Sequence, residues 1–139
     1  MSIPEDRCGH VTESYALDSR GGGSCCWRPA ASEHRRCVWH AELNEKDISD
    51  LLELLDRSRN RLDGAILPGL TFPDGLEATS STFAVADLND VVCKRADLRR
   101  CSFVEATLAD ADLTECDLTG ADFHASNLSD ATLAKTRLK

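Results

Sequence analysis

The sequence predicts a mainly β protein: a square β-solenoid of about four coils over residues 62–139, behind an amphipathic capping helix at 44–61 and a small Cys/His-rich head at 1–43. Three observations predict it. Large apolar residues recur at every fifth position, a small residue stands two places before each, and the composition changes character near residue 40.

The five-residue comb reads Phe83, Leu88, Cys93, Leu98, Phe103, Leu108, Leu113, Leu118, Phe123, Leu128, Leu133 and Leu138; between 83 and 138 no Leu or Phe lies off it. Two places earlier sit small residues such as Ser81, Ala86, Ala96, Cys101, Ala106, Ala111, Cys116 and Ala121. A period of five matches neither the helix at 3.6 nor the strand at 2. It suits a chain that turns a corner every five residues and buries one large and one small side chain per side. Four sides make a coil of twenty residues, so residues twenty apart should stack. Phe83, Phe103 and Phe123 then form one column, and Leu88, Leu108 and Leu128 the next. Leu62, Leu67 and Phe72 continue the comb backwards, and Pro73-Asp74-Gly75 is a turn signal able to absorb one extra residue before Ala78. At a strand spacing of about 4.8 Å, four coils stand roughly 19 Å tall.

The motif A-(D/N)-(L/F)-x-x, present as Ala86-Asp87-Leu88, Ala96-Asp97-Leu98, Ala111-Asp112-Leu113 and Ala121-Asp122-Phe123, resembles the pentapeptide repeat family. That resemblance implies a right-handed quadrilateral β-helix with small and large residues inward, and a scaffold rather than an enzyme. It covers slightly over half the chain.

Upstream of the comb, Asn44 is a helix N-cap followed by acids in the first turn, and Ile48, Leu51, Leu52 and Leu55 follow at helical spacing. Arg57, Arg59 and Arg61 gather where the C-terminal dipole favours cations. Such a helix would cover the open end of the solenoid, since a bare terminal coil offers unpaired edges and apolar surface.

The head holds Cys8, Cys25, Cys26 and Cys37 with His10, His34 and His40, around a flexible Gly21-Gly22-Gly23 loop. It has too few apolar residues for a core, so a staple is expected. Cys37-Val38-Trp39-His40 is a C-x-x-H pair of the kind that makes half a structural zinc site, and Cys8 and Cys26 would complete a Cys₃His shell for Zn²⁺. Cys25 stands as alternative to Cys26, and His10 to His40. A disulfide and free packed thiols are the competing readings. Cys93, Cys101 and Cys116 fall on inward repeat positions as small fillers, which suits a reducing compartment. Similar heads with C-C-W and C-x-W-H elements resemble those preceding pentapeptide repeats in salt-loving microbes.

The 24 acidic against 16 basic residues give a net charge of −8. This argues against nucleic-acid or anionic-membrane binding. No apolar segment reaches membrane-spanning length and the first residues carry no signal-peptide pattern, so a cytoplasmic protein is expected. No phosphate loop, nucleophile elbow or zinc-protease motif occurs, and no catalytic residue is assigned. The Asp residues just before the teeth are expected to bond turn backbone. His124 is expected on an outward corner.

The leading function is a non-enzymatic scaffold or protein–protein interaction module with an unidentified protein partner. The alternatives are a DNA-mimicking, topoisomerase-binding protein, implied by some family members and by 13 acids against 7 bases in the solenoid, and a metal or thiol sensor. Lys94, Arg95, Arg99 and Arg100 break the acidic surface and weigh against mimicry. Homodimerisation through the last coil is expected, with Lys135, Arg137 and Lys139 at its edge.

Overall fold

The computed structural model describes Val11–Thr12, Ser24–Cys25, Leu52 and residues 61–139. Residues 61–139 wind into four stacked coils, each with four sides. Twelve parallel bridges join each side to the one above it. Side 1 is centred on Leu62, Phe83, Phe103 and Phe123; side 2 on Leu67, Leu88, Leu108 and Leu128. Side 3 is centred on Phe72, Cys93, Leu113 and Leu133, and side 4 on Ala78, Leu98, Leu118 and Leu138.

Register follows the comb, including its one slip. The bridges Arg61↔Thr82, Ile66↔Asp87 and Thr71↔Val92 join residues 21 apart, whereas Glu77↔Asp97 and all later ones join residues 20 apart. The extra residue lies in the Pro73-Asp74-Gly75 turn, as its turn chemistry predicts. Two kinds of hydrogen bond hold the coils. Each tooth amide donates one coil onward, as Leu108 N–H does to the Asn127 carbonyl at 2.7 Å, and each residue before a tooth donates one coil back, as Thr107 N–H does to Ala86 at 2.9 Å.

The corners explain why five residues suffice per side. The second residue after nearly every tooth adopts positive φ, between 54° and 76°, so the chain turns at once. Glycine takes this place at Gly64, Gly69 and Gly120, and one residue later at Gly75 in the six-residue step, and Asp at 90, 110 and 130, a residue type that tolerates it. At Gly120, an added Cβ would meet only Arg100 Cγ at 3.6 Å, an ordinary contact. The cost of substitution there is conformational. Gly120→Val is expected to destabilise by about 1–2 kcal/mol and Gly120→Asn by less, read as shifts in the denaturation midpoint.

The core is a column of teeth and small residues. Leu67 and Leu108 are fully buried, as are Ala65 and Ala111. Phe83, Phe103 and Phe123 stack with centroids 5.1 and 4.9 Å apart and planes within 7°. Where one column shrinks, its neighbour grows. Cys93 lies beneath the large Phe72, and the small tooth Ala78 follows Leu76, which with Leu70 puts a large side chain where the later repeats hold small or β-branched ones. The compensation leaves an internal void of about 30 Å³ beside Phe72, Leu76, Cys93 and Leu98. Cys93, Cys101 and Cys116 are buried and unbridged. The Cys101 and Cys116 thiols donate to the Ala78 and Cys93 carbonyls at 3.0 and 2.7 Å, so they serve corners as well as filling space.

Upstream of the solenoid, β1 (Val11–Thr12) pairs antiparallel with β2 (Ser24–Cys25), with Val11 opposite Cys25. Leu52 is helical and half-buried, within the segment where the apolar stripe predicts a helix. The rest of that helix, and its placement, lie outside the described residues.

Candidate interaction surface

Outside the core, each coil presents the residues before, after and at the corners of its teeth. Residues before the teeth are tied down. Asp87, Asp97, Asp112, Asp117 and Asp122, with Asn127, each accept the backbone N–H two residues on, at 2.9–3.3 Å. These side chains brace the turns, as their position in the repeat predicts. His124 is exposed.

Charge is not spread evenly. Side 4 and its leading corner carry a lattice that spans all four coils. Along the corner the column runs Asp74, Arg95, Glu115, Lys135, alternating in sign. Arg95 pairs with Asp74, and Lys135 with Glu115 at 3.5 Å. On the side itself the column runs Glu77, Asp97, Asp117, Arg137, with Arg137 reaching Asp117 at 3.5 Å. Arg99 grips Asp97 through both carboxylate oxygens at 2.8 and 2.6 Å. An open groove of about 730 Å³ is lined by Arg95, Asp97, Arg99, Glu115, Asp117, Lys135 and Arg137. By contrast, the corner between sides 2 and 3 stacks Asp90, Asp110 and Asp130, all exposed.

The lattice sets local titration. The side-chain hydrogen bond from Arg99 holds the Asp97 carboxyl down at about 2, from an ordinary 3.8. Hydrogen bonds from Thr119 lower Asp117, helped by Arg137 and Arg99. A depressed carboxylate stabilises the fold above its unfolded value and loses that contribution as pH falls through its folded value. Asp97→Asn is therefore expected to flatten the acid limb of stability between about pH 4 and 2, in unfolding curves across that range. The effect is small, because the pair is exposed and screened. In the core, burial pushes the Cys101 thiol up to about 11, and a hydrogen bond with Cys116, with burial second, raises Cys93. Both thiols are expected to resist alkylation at pH 8 until the protein unfolds.

The proposed zinc ligands Cys8, Cys26, Cys37 and His40 lie outside the described residues, as do their rivals His10 and the Cys25 side chain. The β1–β2 pairing does bring the strand that follows Cys8 by three residues against the strand that precedes Cys26. Among the described residues no cluster of His, Cys, Asp and Glu could hold a metal ion, and no helix is long and apolar enough to cross a membrane. The charge lattice of side 4 is absent from a reading of motifs alone. Its signal is the alternation at twenty-residue steps, visible once the coil length is fixed.

A four-sided parallel coil with Leu or Phe inward at nearly every fifth residue defines the class: a β-solenoid repeat module. The pentapeptide repeats family model matches residues 86–124 and 101–139, with eight copies, so this part of the solenoid is built of pentapeptide repeats. Proteins of that family form right-handed quadrilateral β-helices and are generally non-enzymatic repeat modules. Among solved structures, the chain is similar to the pentapeptide repeat protein Rfr23 of the cyanobacterium Cyanothece 51142. Identity is 19%, coverage is 59% of this chain and 58% of that one, and the TM-score is 0.32. A pentapeptide repeat protein of Nostoc Pcc 7120 is 21% identical over 58% of this chain and 86% of its own, with a TM-score of 0.37. One from the Arabidopsis thaliana thylakoid lumen is 16% identical over 58% and 61%, with a TM-score of 0.30. No curated protein matches the chain.

Proposed function

We propose that this protein is a non-enzymatic scaffold that holds a protein partner on side 4. The observation that carries the reading is the lattice of alternating charges there, set on a rigid column at one-coil spacing. Each partner charge would meet a fixed counter-charge, and wrong partners would meet like charges, which gives specificity more than raw affinity. The test is affinity capture from the native cytoplasm with three proteins: wild type, Arg95→Glu/Arg99→Glu/Arg137→Glu, and Asp90→Lys/Asp110→Lys/Asp130→Lys. A protein retained by wild type and the corner variant, but lost by the side 4 variant at unchanged stability, supports the reading. Loss only with the corner variant favours the acidic surface instead.

That corner supports the second reading, a DNA-mimicking protein that binds topoisomerases through Asp90, Asp110 and Asp130. Its test is inhibition of DNA supercoiling in a purified assay, abolished by the corner variant. Lys94, Arg95, Arg99 and Arg100 on the neighbouring surface weigh against it.

Three further parts complete the proposal. The last coil pairs with a second copy of the chain: Leu138 is 58% exposed, and Phe123, Leu128 and Leu133 are only half-buried. The N-terminal end is capped by the 44–61 helix. In support, the first-coil teeth Leu62, Leu67 and Ala78 are buried like interior ones, unlike their last-coil counterparts. The head carries a structural zinc held by Cys8, Cys26, Cys37 and His40. Protein purified without added metal is expected to contain about one zinc per chain, by elemental analysis, and a chelator to unfold the head while the solenoid signal persists. No metal would remove that assignment.

A further inference from the structure

Side 4 and its leading corner are banded in sign from one coil to the next. Coil 1 brings Asp74 and Glu77, and coil 2 brings Arg95 and Arg99 around a single acid, Asp97. Coil 3 brings Glu115 and Asp117, and coil 4 brings Lys135, Arg137 and Lys139. The bands therefore run negative, positive, negative, positive, at the coil spacing of about 4.8 Å. Length alternates with sign. Coils 2 and 4 carry long side chains that reach into solvent: Arg95, Arg99, Lys135 and Arg137 are 53%, 51%, 78% and 79% exposed. In coil 3, Glu115 and Asp117 are only 39% and 25% exposed, beside the short Thr119 and Gly120. Cationic ridges thus alternate with acidic furrows.

An alternating series with an even number of bands becomes its own complement when it is reversed end for end. We propose that the occupant of side 4 is a second copy of this chain, seated face to face and antiparallel about a two-fold axis lying across the coils. This occupant rests on the reading of side 4 as the binding face. The two-fold sets coil 1 against coil 4 of the second copy, and coil 2 against coil 3. Along the corner column, Asp74 then faces Lys135 of the second copy, and Arg95 faces Glu115. On the side itself, Glu77 faces Arg137. Asp97 comes opposite Asp117, a like pair, but Arg99 grips Asp97 through both oxygens and travels with it. Each ridge enters a furrow. A parallel arrangement would instead set every band against its own sign. The antiparallel contact is isologous, so it closes at two copies. The corner of Asp90, Asp110 and Asp130 lacks this property, because it repeats one sign and repels its own copy in either direction. Arg95, Lys135 and Arg137 each lean on an acid of their own chain already. The second copy adds counter-charges to solvated pairs, so the association is modest and weakens as salt rises. It leaves the end of the column free for the pairing proposed there.

The test is a charge swap in the full chain. Arg95→Glu/Arg99→Glu makes coil 2 negative on this face, and Glu115→Arg/Asp117→Arg makes coil 3 positive. Because coil 2 faces coil 3, each variant meets its own sign in a second copy of itself. Mixed one to one, the negative coil 2 of the first faces the positive coil 3 of the second, and the unaltered bands remain complementary. Sedimentation velocity at low salt and matched concentration reads the result. Each variant alone is expected to associate about tenfold more weakly than wild type, or weaker still, and the mixture to recover the wild-type mass. The β signal and unfolding midpoint show whether each variant is folded, and Arg99→Glu with Asp117→Arg is the milder pair should the double variants fail. Variants that keep the wild-type mass overturn the proposal, whether wild type is a monomer or pairs through its last coil alone. So does a mixture that stays at the mass of its separate components. In either case, a foreign protein captured by wild type and lost with Arg95→Glu/Arg99→Glu/Arg137→Glu keeps side 4 as the binding face and rejects only the second copy as its occupant.

Discussion

Replacing Phe103 by alanine lowers the stability of the solenoid by about 3–5 kcal/mol, the usual cost of deleting a buried aromatic ring. Phe103 is 2% exposed and lies between Phe83 and Phe123, at 5.1 and 4.9 Å. Its loss removes two stacked contacts at once and opens a cavity bounded by rigid coils that cannot collapse into it. Phe123→Ala, at the half-buried end of the same column, is expected to cost clearly less. Chemical denaturation of the two variants checks both. Equal costs would mean that the column does not transmit packing as described.

Deleting Asp110 abolishes cooperative folding, whereas deleting Pro73 is tolerated. Each coil pairs with the next at a fixed twenty-residue offset, so one missing residue inside coil 3 displaces Leu113, Leu118 and every later tooth from the core. The third side of coil 1 is the exception. There the chain already spends six residues between Thr71 and Glu77, where later coils use five. Removing Pro73 restores the common step. Thermal unfolding read by far-ultraviolet dichroism distinguishes the cases: a sharp transition persists without Pro73 and disappears without Asp110. Two sharp transitions, or none, would contradict the register.

The solenoid was legible because its repeat is a packing rule written into residue size. A five-residue step between large residues has no helical or flat-strand solution, and the stacking at twenty follows by counting. The six-residue step could be placed because Pro73, Asp74 and Gly75 are turn formers. Two features were harder to read. The compensation between Ala78 and Leu76 breaks the large–small rule locally, and only the packed column shows that the volumes balance. The charge lattice of side 4 was the other, because the alternation of Asp74, Arg95, Glu115 and Lys135 becomes visible only once the coil length is fixed. The proposed zinc ligands rest on spacing in a segment without periodicity, and spacing of that kind fixes candidates without fixing geometry.

The most direct test of the account is amide hydrogen exchange, residue by residue, on the full chain at two protein concentrations. The coil geometry predicts slow exchange at the tooth amides of Phe103, Leu108, Leu113 and Leu118, which donate to the carbonyls of Asp122, Asn127, Thr132 and Arg137. The corresponding amides of Phe123, Leu128 and Leu133 should exchange fast in dilute protein and slow down as a second copy pairs with the last coil. Protection without a five-residue repeat would contradict the fold, and last-coil amides equally fast at every concentration would contradict the dimer.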